Sequence, residues 1–188
     1  MTPVLVFVLA IISSVLATSA CNLSGNMPAM DELSSSLAVT IGAAPCTSLN
    51  PTNPIQLTVS VRNNNPNQTV TLLKWNTSLD PQANVLGIFQ TRDAECGTPV
   101  DSLVIKVSRK FPPTQDDLVE IPAGGVKEVK LTLPPMTLSA GRQYVISAKG
   151  RWQGIWAGGR DDVTTADLAN MGCASFGAFE SNEIVVSF

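Results

Sequence analysis

Residues 55–62 read IQLTVSVR. Ile55, Leu57, Val59 and Val61 alternate without interruption with Gln56, Thr58, Ser60 and Arg62. Successive side chains of a β-strand point to opposite faces, so this stretch as a strand has one apolar face and one polar face. Wound as a helix, the same residues would scatter their apolar groups around the axis. The apolar face of such a strand has to be covered by a second layer.

The same signal recurs along the chain. Strands are expected at 36–42 (SLAVTIG), 69–75 (TVTLLKW), 85–91 (VLGIFQT), 102–109 (SLVIKVSR), 118–121 (LVEI), 126–133 (VKEVKLTL), 142–150 (RQYVISAKG) and 182–188 (NEIVVSF). Turn-forming segments separate them: NNNPN at 63–67, FPPTQDD at 111–117, PAGG at 122–125 and SAGR at 139–142. The inward set is expected to include Leu57, Val59, Leu72, Ile105, Val129, Leu131, Tyr144, Ile146 and Val185. One segment has helical signals: Thr164 as a cap, Asp167 three residues on, and Gly172 as a stop. Short strands at regular spacing with a single short helix predict an all-β, antiparallel, immunoglobulin-like β-sandwich of about 7–9 strands.

Residues 3–17 are almost wholly apolar and are followed by Thr18, Ser19 and Ala20. This is the layout of a secretory signal peptide, with cleavage expected after Ala20, or next after Ala17. The run is short for a membrane span, which needs about 20 apolar residues. The domain organisation is then a signal peptide at 1–20 and a single secreted β-sandwich domain at 21–188, with no membrane segment once the signal is removed. Four cysteines, Cys21, Cys46, Cys96 and Cys173, suggest two disulfides with the pairing open. Asn22, Asn67 and Asn76 each begin an N-x-[ST] sequon and are the candidate glycan acceptors. In TLLKWNTSLD, a carbohydrate on Asn76 requires that residue to face water, with Trp75 turned to the interior.

Net charge is −3, with charges sparse and mixed in sign, which gives no electrostatic footprint for nucleic acid. The chain has no histidine, so Ser-His-Asp and Cys-His catalysis and histidine metal sites are excluded. Three acidic pairs remain: Asp93 with Glu95, Asp116 with Asp117, and Asp161 with Asp162. Placed in turn segments, they read as surface charges rather than as a two-carboxylate hydrolytic site. Asp161, Asp162 and Asp167 lack the spacing of a calcium loop. No enzymatic activity and no cofactor are expected. The loop GRWQGIWAGGR at 150–160 is the candidate recognition surface, with Arg151, Trp152, Ile155, Trp156 and Arg160 forming an aromatic, basic platform for a glycan or a protein. Its alternative is a pair of tryptophans closing the end of the sandwich.

IQLTVSVRNNNPNQTVTLLKWNTSLDP, GIFQ, RKFPPTQDDLVEIPAGG and ESNEIVVSF together resemble the N-terminal β-rich prodomain of fungal deuterolysin-type metalloendopeptidases, the aspzincins, over roughly 36–188. The HExxH motif and the distant metal-binding Asp of that family's catalytic module are missing from this sequence. The resemblance implies a non-enzymatic, prodomain-like interaction module that inhibits or chaperones an extracellular metalloprotease or binds another secreted protein. The rival reading is a secreted binding protein that recognises a glycan or host protein through 150–160.

Overall fold

The computed structural model describes residues 32–43 and 54–188. The expected signal segment, Cys21, Asn22 and Cys46 lie outside the described residues. Among the described residues, the elements run α1 (Glu32–Ser35), β1 (Leu37–Ala43), β2 (Gln56–Asn63), β3 (Val70–Leu73), β4 (Phe89–Asp93), β5 (Leu118–Ile121), β6 (Val126–Thr132), β7 (Gln143–Ala157), α2 (Thr165–Asn170), β8 (Ser175–Glu180) and β9 (Ile184–Ser187). The expected all-β antiparallel class is what the structure shows.

One sheet has three strands in the order β1-β2-β6. The other has six and is organised by β7, which is 15 residues long. The first part of β7 pairs with β4 and β9, and the second part with β3 and β8. β5 completes this sheet against β3. Lys149 pairs with Glu180 but Ile146 pairs with Ile184, so β8 runs on into β9 along one edge of β7 with one extra residue between them.

The alternation at 55–62 does what its period dictates. Leu57, Val59 and Val61 are buried, as are Leu72, Ile121, Ile146 and Ile155 from the opposite sheet, and all belong to one core. Burying each such side chain stabilises the fold by about 1.5–3 kcal/mol relative to leaving it in water. Two members of the expected inward set are corrected: Ile105 and Val185 are 38% and 59% exposed. Apolar residues stand at three consecutive positions in β9, and the extra residue before it turns Val186 inward instead of Val185.

The strand expected at 102–109 does not form; the stretch has no regular structure. Conversely, 150–157 belongs to β7 and is not a loop. Gly150 and Gly154 punctuate that stretch for close packing. A Cβ on Gly150 would lie 2.6 Å from the Phe179 ring, and one on Gly154 would lie 2.7 Å from the Trp156 ring. The expected helix is present as α2. Thr164 Oγ1 accepts the Asp167 N–H at 3.2 Å and Asp167 Oδ2 accepts the Thr164 N–H at 2.9 Å. The left-handed stop falls on Met171 (φ 51°), one residue before Gly172.

Two asparagines join the sheets. Asn182 Oδ1 accepts the Ile41 N–H at 2.8 Å and its Nδ2 donates to the Ile41 carbonyl at 3.0 Å, so the free edge of β1 is tied to the chain between β8 and β9. The fully buried Asn63 donates to the Gln68, Ile121 and Pro122 carbonyls and accepts the Asn65 N–H. Replacing Asn182 with alanine leaves both Ile41 backbone groups without these partners. The expected cost is about 1–3 kcal/mol, seen as a lower urea midpoint with an unchanged slope in equilibrium unfolding.

Candidate interaction surface

The platform expected at 150–160 is not on the surface. Trp152, Ile155 and Trp156 are 1%, 0% and 3% exposed. Trp152 packs on Phe179 with ring centroids 4.6 Å apart, and the Trp156 indole N–H donates to the Gly172 carbonyl at 2.8 Å. Only Arg151 and Arg160 remain exposed. The apolar members of the set are core because β7 is the central strand of its sheet and is covered on both faces: Trp152 and Ile155 belong to the main core, and Trp156 to a second cluster with Leu73, Leu118, Val163 and Leu168.

The exposed apolar surface lies elsewhere. Leu103, Val104 and Ile105 are 59%, 57% and 38% exposed, and Phe111 is 58% exposed. They sit in the segment expected to be a strand. Among the described residues, 101–113 makes a single backbone bond: the Ile105 N–H donates to the Val85 carbonyl at 2.8 Å. The segment is nevertheless fixed at several points. Before it, Pro99 bridges Arg92 of β4 and the Val100 N–H reaches the Thr91 carbonyl at 2.8 Å. In its middle, Val104 faces Gly87, where an added Cβ would stand 3.4 Å from a Val104 methyl. At its end, Arg109 Nη2 pairs with Asp80 Oδ2 at 2.5 Å.

Asp80 is what makes that last tether firm. Its side chain is 0% exposed, and besides Arg109 it accepts the Asn76 N–H at 2.8 Å and the Gln82 N–H at 3.0 Å. A buried carboxylate needs such partners. The NTSLDP turn therefore serves as the anchor of the 101–110 segment. Within that turn Asn76 is exposed with φ 54°, a backbone region that asparagine tolerates well. Trp75 is half-buried, packs beside Leu73, Leu118, Trp156, Val163 and Leu168, and donates its indole N–H to Asp117 Oδ1 at 2.8 Å. Asn67 is also exposed.

The acidic pairs hold local structure. Burial pushes the Asp117 carboxyl up, but the Thr114 N–H, the Trp75 indole, the Thr114 hydroxyl and Lys74 together hold it below its ordinary value. Asp162 Oδ2 accepts the Gly159 N–H at 2.7 Å. Asp93 accepts the Glu95 and Cys96 N–H groups and pairs with Arg142 at 2.5 Å. Among the described residues no group of three or more Cys, Asp or Glu is placed to hold a metal ion. No helix among them is long and apolar enough to cross a membrane.

The cysteine expectation is corrected in part. Cys96 is a free, exposed thiol, 3.1 Å from the Thr98 hydroxyl. It lies in the tight turn that Asp93 organises after β4, where no second cysteine of the described residues approaches it. Cys173 is disulfide-bonded.

A family model of the immunoglobulin-like domain matches residues 47–188. The chain belongs to the immunoglobulin-like domain family. Within this immunoglobulin-like chain the match takes in β2 through β9, and β1 precedes it. The chain is also similar to an uncharacterized secreted protein of Arthroderma benhamiae, with 39% identity over 137 residues that cover 71% of this chain and 69% of that protein.

The Asp93 turn yields a pH prediction. The Cys96 N–H, then the Glu95 N–H, then Arg142 hold the Asp93 carboxyl well below its ordinary value of 3.8. A depressed native value means that the unfolded chain takes up the proton first, so the stabilisation is complete above the ordinary value and is lost as pH falls below it. Asp93→Asn is expected to lower the melting temperature at neutral pH and to flatten its fall between about pH 4 and pH 2. Thermal melts of the two proteins across that range check this.

Proposed function

We propose that this immunoglobulin-like protein is a secreted, non-enzymatic protein-interaction module that docks an extracellular protease through residues 102–109. The observation that carries the reading is the exposed apolar run Leu103, Val104 and Ile105 on a backbone almost without partners among the described residues. Strand-competent sequence with free N–H and C=O groups is a template for strand addition. A contiguous exposed apolar patch is a common mark of a contact surface.

Magnitudes narrow the mode. Covering what remains exposed of the three side chains is worth on the order of 2–4 kcal/mol, whereas a micromolar complex needs about 8 kcal/mol. Side chains alone fall short, so backbone pairing along the segment has to supply a share. Proteases hold substrates and inhibitors as added strands, which suits this requirement. Secretion is supported by the apolar N-terminal run and by the secreted relative. The absence of histidine supports a non-enzymatic role. The resemblance to the deuterolysin prodomain makes a deuterolysin-type metalloendopeptidase the first partner to try.

Mixing the purified protein with such an enzyme is expected to give a complex at micromolar concentration by surface plasmon resonance. The double change Leu103→Asp with Ile105→Asp weakens it by about tenfold or more, because the added charges disfavour burial. The melting temperature stays within a few degrees, since both positions are exposed. Absence of a complex, or equal binding by the double variant, refutes the proposal.

A further inference from the structure

We infer that the peptide bond between Lys106 and Val107 is a processing site for a lysine- and arginine-directed serine endoprotease, and that the cut protein stays folded as two associated chains. The argument begins with where the basic residues lie. The chain has twelve Lys and Arg. Arg62, Arg92, Lys127, Lys130, Lys149 and Arg151 lie inside strands. Lys74 follows β3 directly and is held by its N–H to Asp117 and its ammonium to Asp116. Arg142 is paired with Asp93, and Arg160 opens a 3-10 turn with its N–H on Glu120. Lys106, Arg109 and Lys110 are left, all in the segment without regular structure.

Among these three the structure discriminates. Such an enzyme pairs with the backbone of the basic residue it reads, of the residue two before it, and of the second residue after the cut. For a cut after Lys106 these are Lys106, Val104 and Ser108, none of which makes a backbone bond to another of the described residues. The one N–H already engaged, that of Ile105, falls at a position the enzyme leaves alone. Lys106 itself is exposed. The side chain of Arg109 is committed to the buried Asp80. For a cut after Lys110, the second residue beyond is Pro112, which has no N–H to offer.

Hydrolysis adds one water across the C–N bond, leaving a carboxylate on Lys106 and an ammonium on Val107. The cut divides β1–β4 from β5–β9, but β2 with β6, β3 with β5, β3 with β7 and β4 with β7 all pair across it. The ion pair between Asp80 and Arg109 also spans it.

The test is limited digestion of the native full-length protein by a trace of trypsin, followed by intact mass and native size exclusion. A single early cut after Lys106 is expected, with both fragments eluting together at the volume of the uncut protein. Lys106→Gln is expected to slow the first cut by about tenfold or more while leaving the melting temperature unchanged. A first cut at any other residue, an unchanged rate in Lys106→Gln, or fragments that separate on the column overturns the inference. It is independent of metalloprotease docking: a protein cut after Lys106 that binds no metalloprotease refutes only the docking proposal.

Discussion

The buried ion pair between Asp80 and Arg109 is the interaction on which the proposed docking surface depends. Asp80 sits fully buried in the turn after β3, where its carboxylate gathers two backbone N–H groups and one guanidinium. Removing one partner of such a pair strands a charge in a poorly solvated place, which costs far more than a surface ion pair gains. The pair therefore fixes the far end of 101–110 to the body of the sandwich, while the near end is held beside β4 by the Val100 N–H on the Thr91 carbonyl. What lies between is displayed without being woven into a sheet.

The reason that 102–109 forms no strand is geometric. Its alternation and its β-branched residues favour a strand as much as those of 126–132 do. A ladder also needs a facing backbone with the matching repeat. The chain opposite is the 3-10 turn at Ala83–Val85 and the glycine at 87, so a single bond forms at Ile105 and the rest stay open. By contrast 126–132 lies along β2 and pairs at every position from Val126 to Thr132. Propensity describes what a segment accepts, and the partner decides what it gets.

The same distinction separates what was legible in the sequence from what was not. The core face of 55–62, the capped helix at 164–170 and the turn after Trp75 follow from local periodicity and side-chain chemistry, so they were readable. The recognition surface expected at 150–160 is misplaced because two tryptophans between arginines look like a platform, while the glycines among them, Gly150 and Gly154, give no local sign of a strand interior. Their actual task, making room for the Phe179 and Trp156 rings, depends on neighbours distant in the chain or folded back from two residues on. Arg109 and Asp80 are 29 residues apart, and nothing local in either segment announces the pair. Lys106 carries no local signal, because its exposure on an unpaired backbone depends on the missing partner strand.

Amide hydrogen exchange of the monomeric protein, resolved to single residues across 101–113, tests the central claim most directly. The account predicts exchange at unprotected rates for the amides of 102–110 apart from Ile105, beside strong protection in β2 and β7, whose bonds open only with the core. Protection across 102–110 comparable to that of β2 would mean that the segment is already laddered in its own chain, and would contradict the account.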